Sequence, residues 1–294
     1  VDSLKKIEFF SDNLSDHDIS HYCKNTYRIR DKDRSYLIKL CEYEDIKKNE
    51  SINEFEEFSK AINSGYLKEI DQNYQIFDFG NSLPLKDYLE KYKKKDQYNI
   101  GYKFGKILKN YHSIRPIDDF DWYKMTKTKA NYLFYIHGIS NDIGDKDYIL
   151  VDYISHNIHL TRSVKTSYLL DDLSLEDIII DNNEKINVLS IDFKHLGDPT
   201  YDFTSINKIA IKSPEFAKGS LYGYFGKNKI PIKFFRLLAL YQAYLILKNM
   251  VNTRKGKSFL YSKDEENLLL LMYDDFNQEI PQWIWESLWL SFLF

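Results

Sequence analysis

The side chains best suited to chemistry are concentrated between Leu169 and Phe203, in LLDDLSLEDIIIDNNEKINVLSIDFKHLGDPTYDF. Nine acids lie from Asp171 to Asp202 (Asp171, Asp172, Glu176, Asp177, Asp181, Glu184, Asp192, Asp198, Asp202), with only Lys185 and Lys194 against them. Two short apolar runs, IIID and VLSIDF, are set among these acids. If the runs pair as a β-hairpin, Asp172 before the first run, Asp177 at its start and Asp192 at the end of the second can face one cavity. Clustered carboxylates repel one another and are best tolerated around a cation; Mg²⁺, with its preference for hard oxygen ligands, fits such a set.

The elements that must position these acids follow from periodicity. TYRIR (26–30), the turn DKDR (31–34) and SYLIKL (35–40) read as a hairpin. NESINEFEEFSKAINSG (49–65) places Ile52, Phe55, Phe58 and Ile62 at helical spacing and predicts a helix stopping at Gly65. NYQIFDFG (73–80) reads as a further strand. A helix is expected to start at Pro84, and a longer one over 98–114 puts Ile100, Phe104, Leu108 and Tyr111 on one face. More helices are expected within 119–168 and again in IKFFRLLALYQAYLILKNMV and KDEENLLLLMYDDF. The order is α+β: a strand-rich lobe over 1–80, then a helical lobe over 81–294. Clefts between such lobes are common ligand sites.

Composition narrows the classes. The 294 residues are 43% hydrophobic and 16% aromatic, enough for a large core, and the formal net charge is −3. That balance argues against a nucleic-acid partner. Cys23 and Cys41 make neither a disulfide framework nor a zinc spacing and fit a reducing, cytoplasmic setting. No run has the apolar length of a membrane span and the start has no signal-peptide core, so neither span nor leader is expected. The apolar tail WIWESLWLSFLF is expected to pack as a helix on the body. A monomer or a homodimer is compatible with this reading.

The ordered pieces resemble a known family. LDDLSLEDIIID, VLSIDF and GDPTYDF are similar to the H-G-D-x-x-x-x-N, I-D-F/W and G-D-P-x-Y-D signature of the aminoglycoside phosphotransferase and choline kinase-like family, which has the protein-kinase-like fold. NTYRI…SYLIKL, NEFEEFSKAINSGY, YQIFDFGNSLPL and FGKILKNYHSI resemble further family segments, in family order, over about residues 20–205. The resemblance implies a bilobal kinase-like fold and phosphoryl transfer from ATP or GTP with Mg²⁺, a reaction that needs positioning and charge neutralisation more than covalent chemistry. It implies that Asp172 is the base, that Asp177 and Asp192 bind the metal, and that Lys39 holds the phosphates with Glu54 orienting it (Glu56 or Glu57 in a shifted register). It places Asn25 and Thr26 in the phosphate-covering loop and the backbone of Phe77, Asp78, Phe79 and Gly80 at the purine edge.

Departures are visible. Leu170 stands at the family's His, Asp171 at its Gly and Asp177 at its metal-binding Asn, and the loop SHYCKNTY has no Gly. The acidic loop region favours a cationic acceptor, with aminoglycosides matching that description. The altered residues keep open a second class, a pseudokinase-like protein that binds nucleotide or a partner without turnover. Asp198 and Asp202 read as caps of a turn and of the following helix, His112 as a packed core residue, and His21 and His195 as surface loop residues.

Overall fold

The computed structural model describes residues 2–10, 14–23, 25–32, 34–43, 61–114, 116, 119–140, 143–171, 173–189, 195–226, 228–257 and 260–285. In chain order the described strands and α-helices are β1 Ile19–Cys23, β2 Thr26–Asp31, β3 Arg34–Cys41, β4 Asn63–Leu67, β5 Gln72–Asp78, β6 Leu83–Pro84, α1 Leu85–Lys91, α2 Lys94–His112, α3 Trp122–Gly138, α4 Asp145–Asn157, β7 Ser167–Leu169, β8 Ile178–Ile180, β9 Ile186–Val188, β10 His195–Gly197, α5 Phe203–Ala210, α6 Pro214–Phe225, α7 Ile232–Arg254 and α8 Lys263–Met272. They form two compact units: Val1–Tyr92 with Leu173–Phe193, and Lys93–Asp172 with Lys194–Phe294.

The first unit is built on an antiparallel sheet of order β1-β2-β3-β5-β4. Its central strand β3 buries Ser35, Tyr36, Leu37 and Ile38 in succession, as a strand covered on both faces must. Alternate residues go to opposite faces. Tyr36, Ile38 and Ile76 join a cluster with Leu4, Ile7 and Phe10, while Leu37, Phe77 and Phe79 join Ile179 and Leu189. The β2–β3 hairpin closes at Asp31↔Arg34, with Lys32 in the left-handed region (φ 55°). In a second sheet, β6-β8-β9, the IIID run pairs antiparallel with Ile186–Val188, Ile178↔Val188 to Ile180↔Ile186, so the partner strand lies earlier than the expected VLSIDF run and shares only Val188 with it.

Two boundaries differ from expectation. The helix predicted over 49–65 falls outside the described residues up to Lys60, and its last part is not helical: Asn63–Leu67 is β4, paired with β5 from Asn63↔Ile76 to Leu67↔Gln72. The β5 partner outweighs local propensity, and Gly65 suits the strand because a Cβ there would collide with the Tyr74 ring. Pro84 belongs to β6 and caps α1, which begins at Leu85. The apolar tail lies outside the described residues from Glu286 onward.

The second unit is helical. Its tightest seam joins α2 and α6, where Gly101 and Gly105 face Gly219 and Gly223, both pairs at i, i+4. A Cβ on Gly101 or Gly105 would strike the carbonyl of Phe216 or Ser220, and one on Gly219 or Gly223 that of Tyr98 or Tyr102. Two helix backbones touch there because no side chain separates them. Ile100, Phe104, Leu108 and Tyr111 of α2 are all buried, on the face predicted for them. No helix among the described residues is long and apolar enough to cross a membrane.

Candidate active site

Within the first unit, strand register places the residues expected to meet a nucleotide. Lys39 pairs with Thr26 of β2 and with Gln75 of β5. It is two residues from Leu37, so it lies on the sheet face whose apolar cluster includes Ile179 and Leu189. Those two residues belong to the hairpin that starts at Asp177, and the Leu189 N–H donates to the Asp177 carbonyl at 2.9 Å. The Tyr22 hydroxyl donates to the Glu176 carbonyl at 2.9 Å, a further tie from β1 to the same hairpin. Sheet and hairpin are thus one packed body, with Lys39, Thr26 and Asp177 within it.

Asp177 is 1% exposed. Its Oδ2 accepts from the Ser174 N–H at 2.9 Å and the Ser174 hydroxyl at 2.6 Å, bonds that orient the carboxylate. Asn25 is exposed in the turn between β1 and β2, and its carbonyl accepts from the Leu40 N–H at 2.8 Å. Phe77 and Phe79 are buried and Asp78 is exposed. The Phe79 and Gly80 N–H groups both donate to the Ser35 carbonyl, at 3.0 and 3.1 Å, so those two donors are already engaged in this conformation. Asp172, Asp192 and Glu54 lie outside the described residues. Among the described residues no group of three or more His, Cys, Asp or Glu is arranged to hold a metal ion.

In the second unit one carboxylate organises the chain leading to Asp172. Asp202 accepts from the Leu170 N–H at 2.8 Å, from the Asp171 N–H at 3.2 Å, and meets His112 Nε2 at 3.0 Å. His112 Nδ1 is 3.1 Å from the Tyr224 hydroxyl. The Asp202 carboxylate can only accept, so the Nε2–H of His112 faces it, and in the neutral ring Nδ1 then accepts from the Tyr224 hydroxyl. The Ser167 hydroxyl donates to the His112 carbonyl at 2.8 Å and fixes β7 to the end of α2. Leu170 is buried, which keeps packing at the position where the family has His. Asp171, at the family's Gly, has φ 40°, a left-handed backbone that Asp tolerates better than most residues.

The acids counted in the sequence are largely engaged. Besides Asp177 and Asp202, Asp171 lies 3.3 Å from His195 and Glu176 lies 3.9 Å from Lys86. Asp181 accepts from the N–H groups of Asn183 and Lys185, both at 2.8 Å. Asp198 caps the turn Pro199–Asp202 through the Thr200 N–H at 2.9 Å, as expected, and also accepts from the Tyr241 hydroxyl at 2.7 Å. Asp202 differs from its reading as a helix cap: its side chain makes no capping bond to α5, because the buried N–H groups of Leu170 and Asp171 claim it. The second Asp of GDPTYD was a visible signal, but its partners are 31 and 32 residues away. Gln75, 2% exposed and opposite Lys39, was also missed, since a Gln inside an apolar strand carries no motif.

No protein-family model matches the sequence, and no curated protein matches it. Solved structures do. A choline/ethanolamine kinase family protein from Mesorhizobium loti matches at 10% identity and TM-score 0.64, covering 92% of each chain. A thermostable mutant of aminoglycoside phosphotransferase APH(4)-Ia matches at 12% and 0.61, over 87% of this chain and 92% of that one. The APH(2″)-IIa chain of a streptomycin–ATP ternary complex matches at 15% and 0.57, over 95% of each. The chain therefore has the fold of these small-molecule kinases, in agreement with the resemblance read from its motifs.

Proposed function

We propose that this chain is a Mg²⁺-dependent O-phosphotransferase that moves the γ-phosphate of ATP or GTP to a hydroxyl of a small molecule. The observation that carries this reading is the shared packing of the Lys39 sheet face with the hairpin that begins at Asp177. A phosphate-binding cation and a hard-oxygen ligand on one body suit a triphosphate and its metal. Asp177 fits Mg²⁺ chemically, being a buried carboxylate held in place by Ser174, and Asp192 would complete the pair. A bound Mg²⁺ would neutralise the phosphate oxygens. Lys39, oriented by Glu54, would hold the phosphates under the Asn25–Thr26 loop, with the Phe77–Phe79 segment beside the purine.

In the transfer step the acceptor oxygen forms a bond to the γ-phosphorus as the bond to the β,γ-bridging oxygen breaks. The nucleoside diphosphate leaves and Asp172 takes the acceptor proton. Asp202 and His112 position the loop for that role by holding the Leu170 and Asp171 backbone.

The test is a nucleotide-consumption assay over a panel of alcohols, with aminoglycosides and choline included because the structural neighbours are phosphotransferases and kinases of those names. Asp172→Ala should lower acceptor-dependent turnover by about 100-fold or more, while Mg²⁺–nucleotide still raises the Tm. Absence of any nucleotide-dependent Tm shift would sink the proposal. Leu170 and Asp177, in place of His and Asn, favour one second reading, a nucleotide-binding protein without turnover. Binding with no turnover on any alcohol would select it.

A further inference from the structure

A cavity of about 450 Å³ lies in the second unit, and Asp171, the covalent neighbour of Asp172, is part of its lining. Phe120, Trp122, Tyr201, Tyr241 and Tyr244 give it an aromatic wall. That wall is fixed rather than adaptable. Trp122 Nε1 donates to the Tyr241 hydroxyl at 2.8 Å, and Tyr241 donates to Asp198, itself anchored on the Thr200 N–H. The Trp122 ring also packs edge-on to Tyr201 and Tyr241 and fills the space that a Cβ on Gly197 would need. Rings locked in this way offer a preformed surface to a flat, apolar ligand body.

The charges at the same cavity are the wrong sign for a polycation. Lys129 from α3 and Lys248 from α7 both line it, and neither has a salt bridge among the described residues. The single carboxylate among the described lining residues is Asp171, which is already 3.3 Å from His195. Of the other acids in the segment, Glu176, Asp177, Asp181, Asp198 and Asp202 are engaged by backbone N–H groups, hydroxyls, His112 or Lys86. A ligand with several ammonium groups would desolvate them against two lysines.

Resting on the phosphotransferase reading, we infer that this cavity is the acceptor site and that it takes an alcohol with an apolar ring body and an anionic group, not a polyamine. The ring lies against the Trp122–Tyr201–Tyr244 wall, and the carboxylate or phosphate is held by Lys129 and Lys248. The hydroxyl is then presented to the loop that Asp171 leads into Asp172.

The experiment uses the full chain and a matched probe series: 4-(hydroxymethyl)benzoate, the uncharged 4-(hydroxymethyl)benzamide and the cationic 4-(hydroxymethyl)benzylamine, with kanamycin as the polycation. Binding is read by tryptophan fluorescence, with Trp122→Phe identifying the signal of this cavity. The Tm shift with Mg²⁺–nucleotide is measured in the same samples. The benzoate should bind about tenfold more tightly than the benzylamine, as expected for two partly exposed lysines acting together. Lys129→Glu/Lys248→Glu should reverse that order, and Lys129→Gln, at an exposed helix position, should weaken benzoate binding even if the double variant misfolds. Tighter binding of the benzylamine or of kanamycin, or no ligand effect on Trp122, overturns the inference. An intact nucleotide Tm shift alongside either result shows that the acceptor inference has failed and the phosphotransferase reading has not; absence of that shift shows that the phosphotransferase reading itself has failed.

Discussion

In the first unit Lys39 owes its place to a strand whose alternate residues go to two apolar clusters. In the second, the residues leading to Asp172 owe theirs to one carboxylate, Asp202, that no apolar pattern points to. The sheet gains most of its position from area buried, which is spread over many residues and degrades gradually when one is trimmed. The helical unit relies on contacts without slack: four glycines where α2 and α6 backbones touch, and a buried carboxylate whose donors are backbone N–H groups. Such contacts fail abruptly, because a backbone carbonyl cannot repack around a new atom and a buried donor cannot find water.

The largest effect should follow from filling the seam. Gly105→Leu puts a side chain against the Ser220 carbonyl, and overpacking against backbone should destabilise the protein by about 4 kcal/mol or more. The control in the first unit is Ile38→Val, which trims a fully buried residue of β3 and should lose about 1 kcal/mol. Urea denaturation followed by circular dichroism measures both. Equal effects would erase the contrast between a tolerant sheet and an intolerant seam.

The second effect tests the carboxylate. Asp202→Asn keeps the shape but presents an amide, with one acceptor oxygen, to two N–H groups and to the His112 Nε2–H. A loss of about 2–4 kcal/mol is expected, as for a broken buried charge-assisted network. Turnover should fall further than stability alone explains, since the loop before Asp172 loses its anchor. Turnover measured well below the variant's Tm separates the two. Full activity there would mean that packing of Leu170 suffices to hold the loop.

Legibility in the sequence follows the same division. The α+β order, a hairpin on the IIID run (though not its partner strand, Ile186–Val188 rather than VLSIDF), the β2–β3 hairpin around Lys39 and the buried face of α2 were readable because strand and helix periods are local. The β7–β10 pair was not, because three-residue strands carry too little pattern and their partners are distant. The end of the 49–65 helix was misread because the choice between helix and strand at Asn63–Leu67 is made by β5. The glycine seam was present as GYKFG and GSLYG but each glycine pair has meaning only beside the other. Charge was the signal least legible from sequence alone. Nine acids in a row of loops suggested an attractive field, yet most of those described are held by donors inside the fold, and the lining of the aromatic cavity brings two lysines forward instead.

The smallest effect concerns the other acid of GDPTYD. Burial pushes the Asp198 carboxyl above its usual value of 3.8, against the lowering effect of its bonds from Thr200 and Tyr241. A carboxyl whose pKa is raised by folding binds its proton more tightly in the native state, so its contribution to stability is complete below the unfolded value and is lost as pH rises through the folded one. Asp198→Asn removes that titration: the amide oxygen can keep the Thr200 N–H, and the cost of the lost acceptor for the Tyr241 hydroxyl is a constant that drops out of the pH dependence. As pH rises from the unfolded value of 3.8 through the higher folded one, the stability of the wild type minus that of Asp198→Asn should therefore decline. Denaturant midpoints at several pH values give the difference directly. A difference that rises with pH would mean that Asp198 is stabilised as an anion in the fold. The aromatic wall of Trp122 and Tyr241 would then rest on a charge, as the Leu170–Asp171 backbone rests on Asp202, and the two acids of the motif would work in the same way.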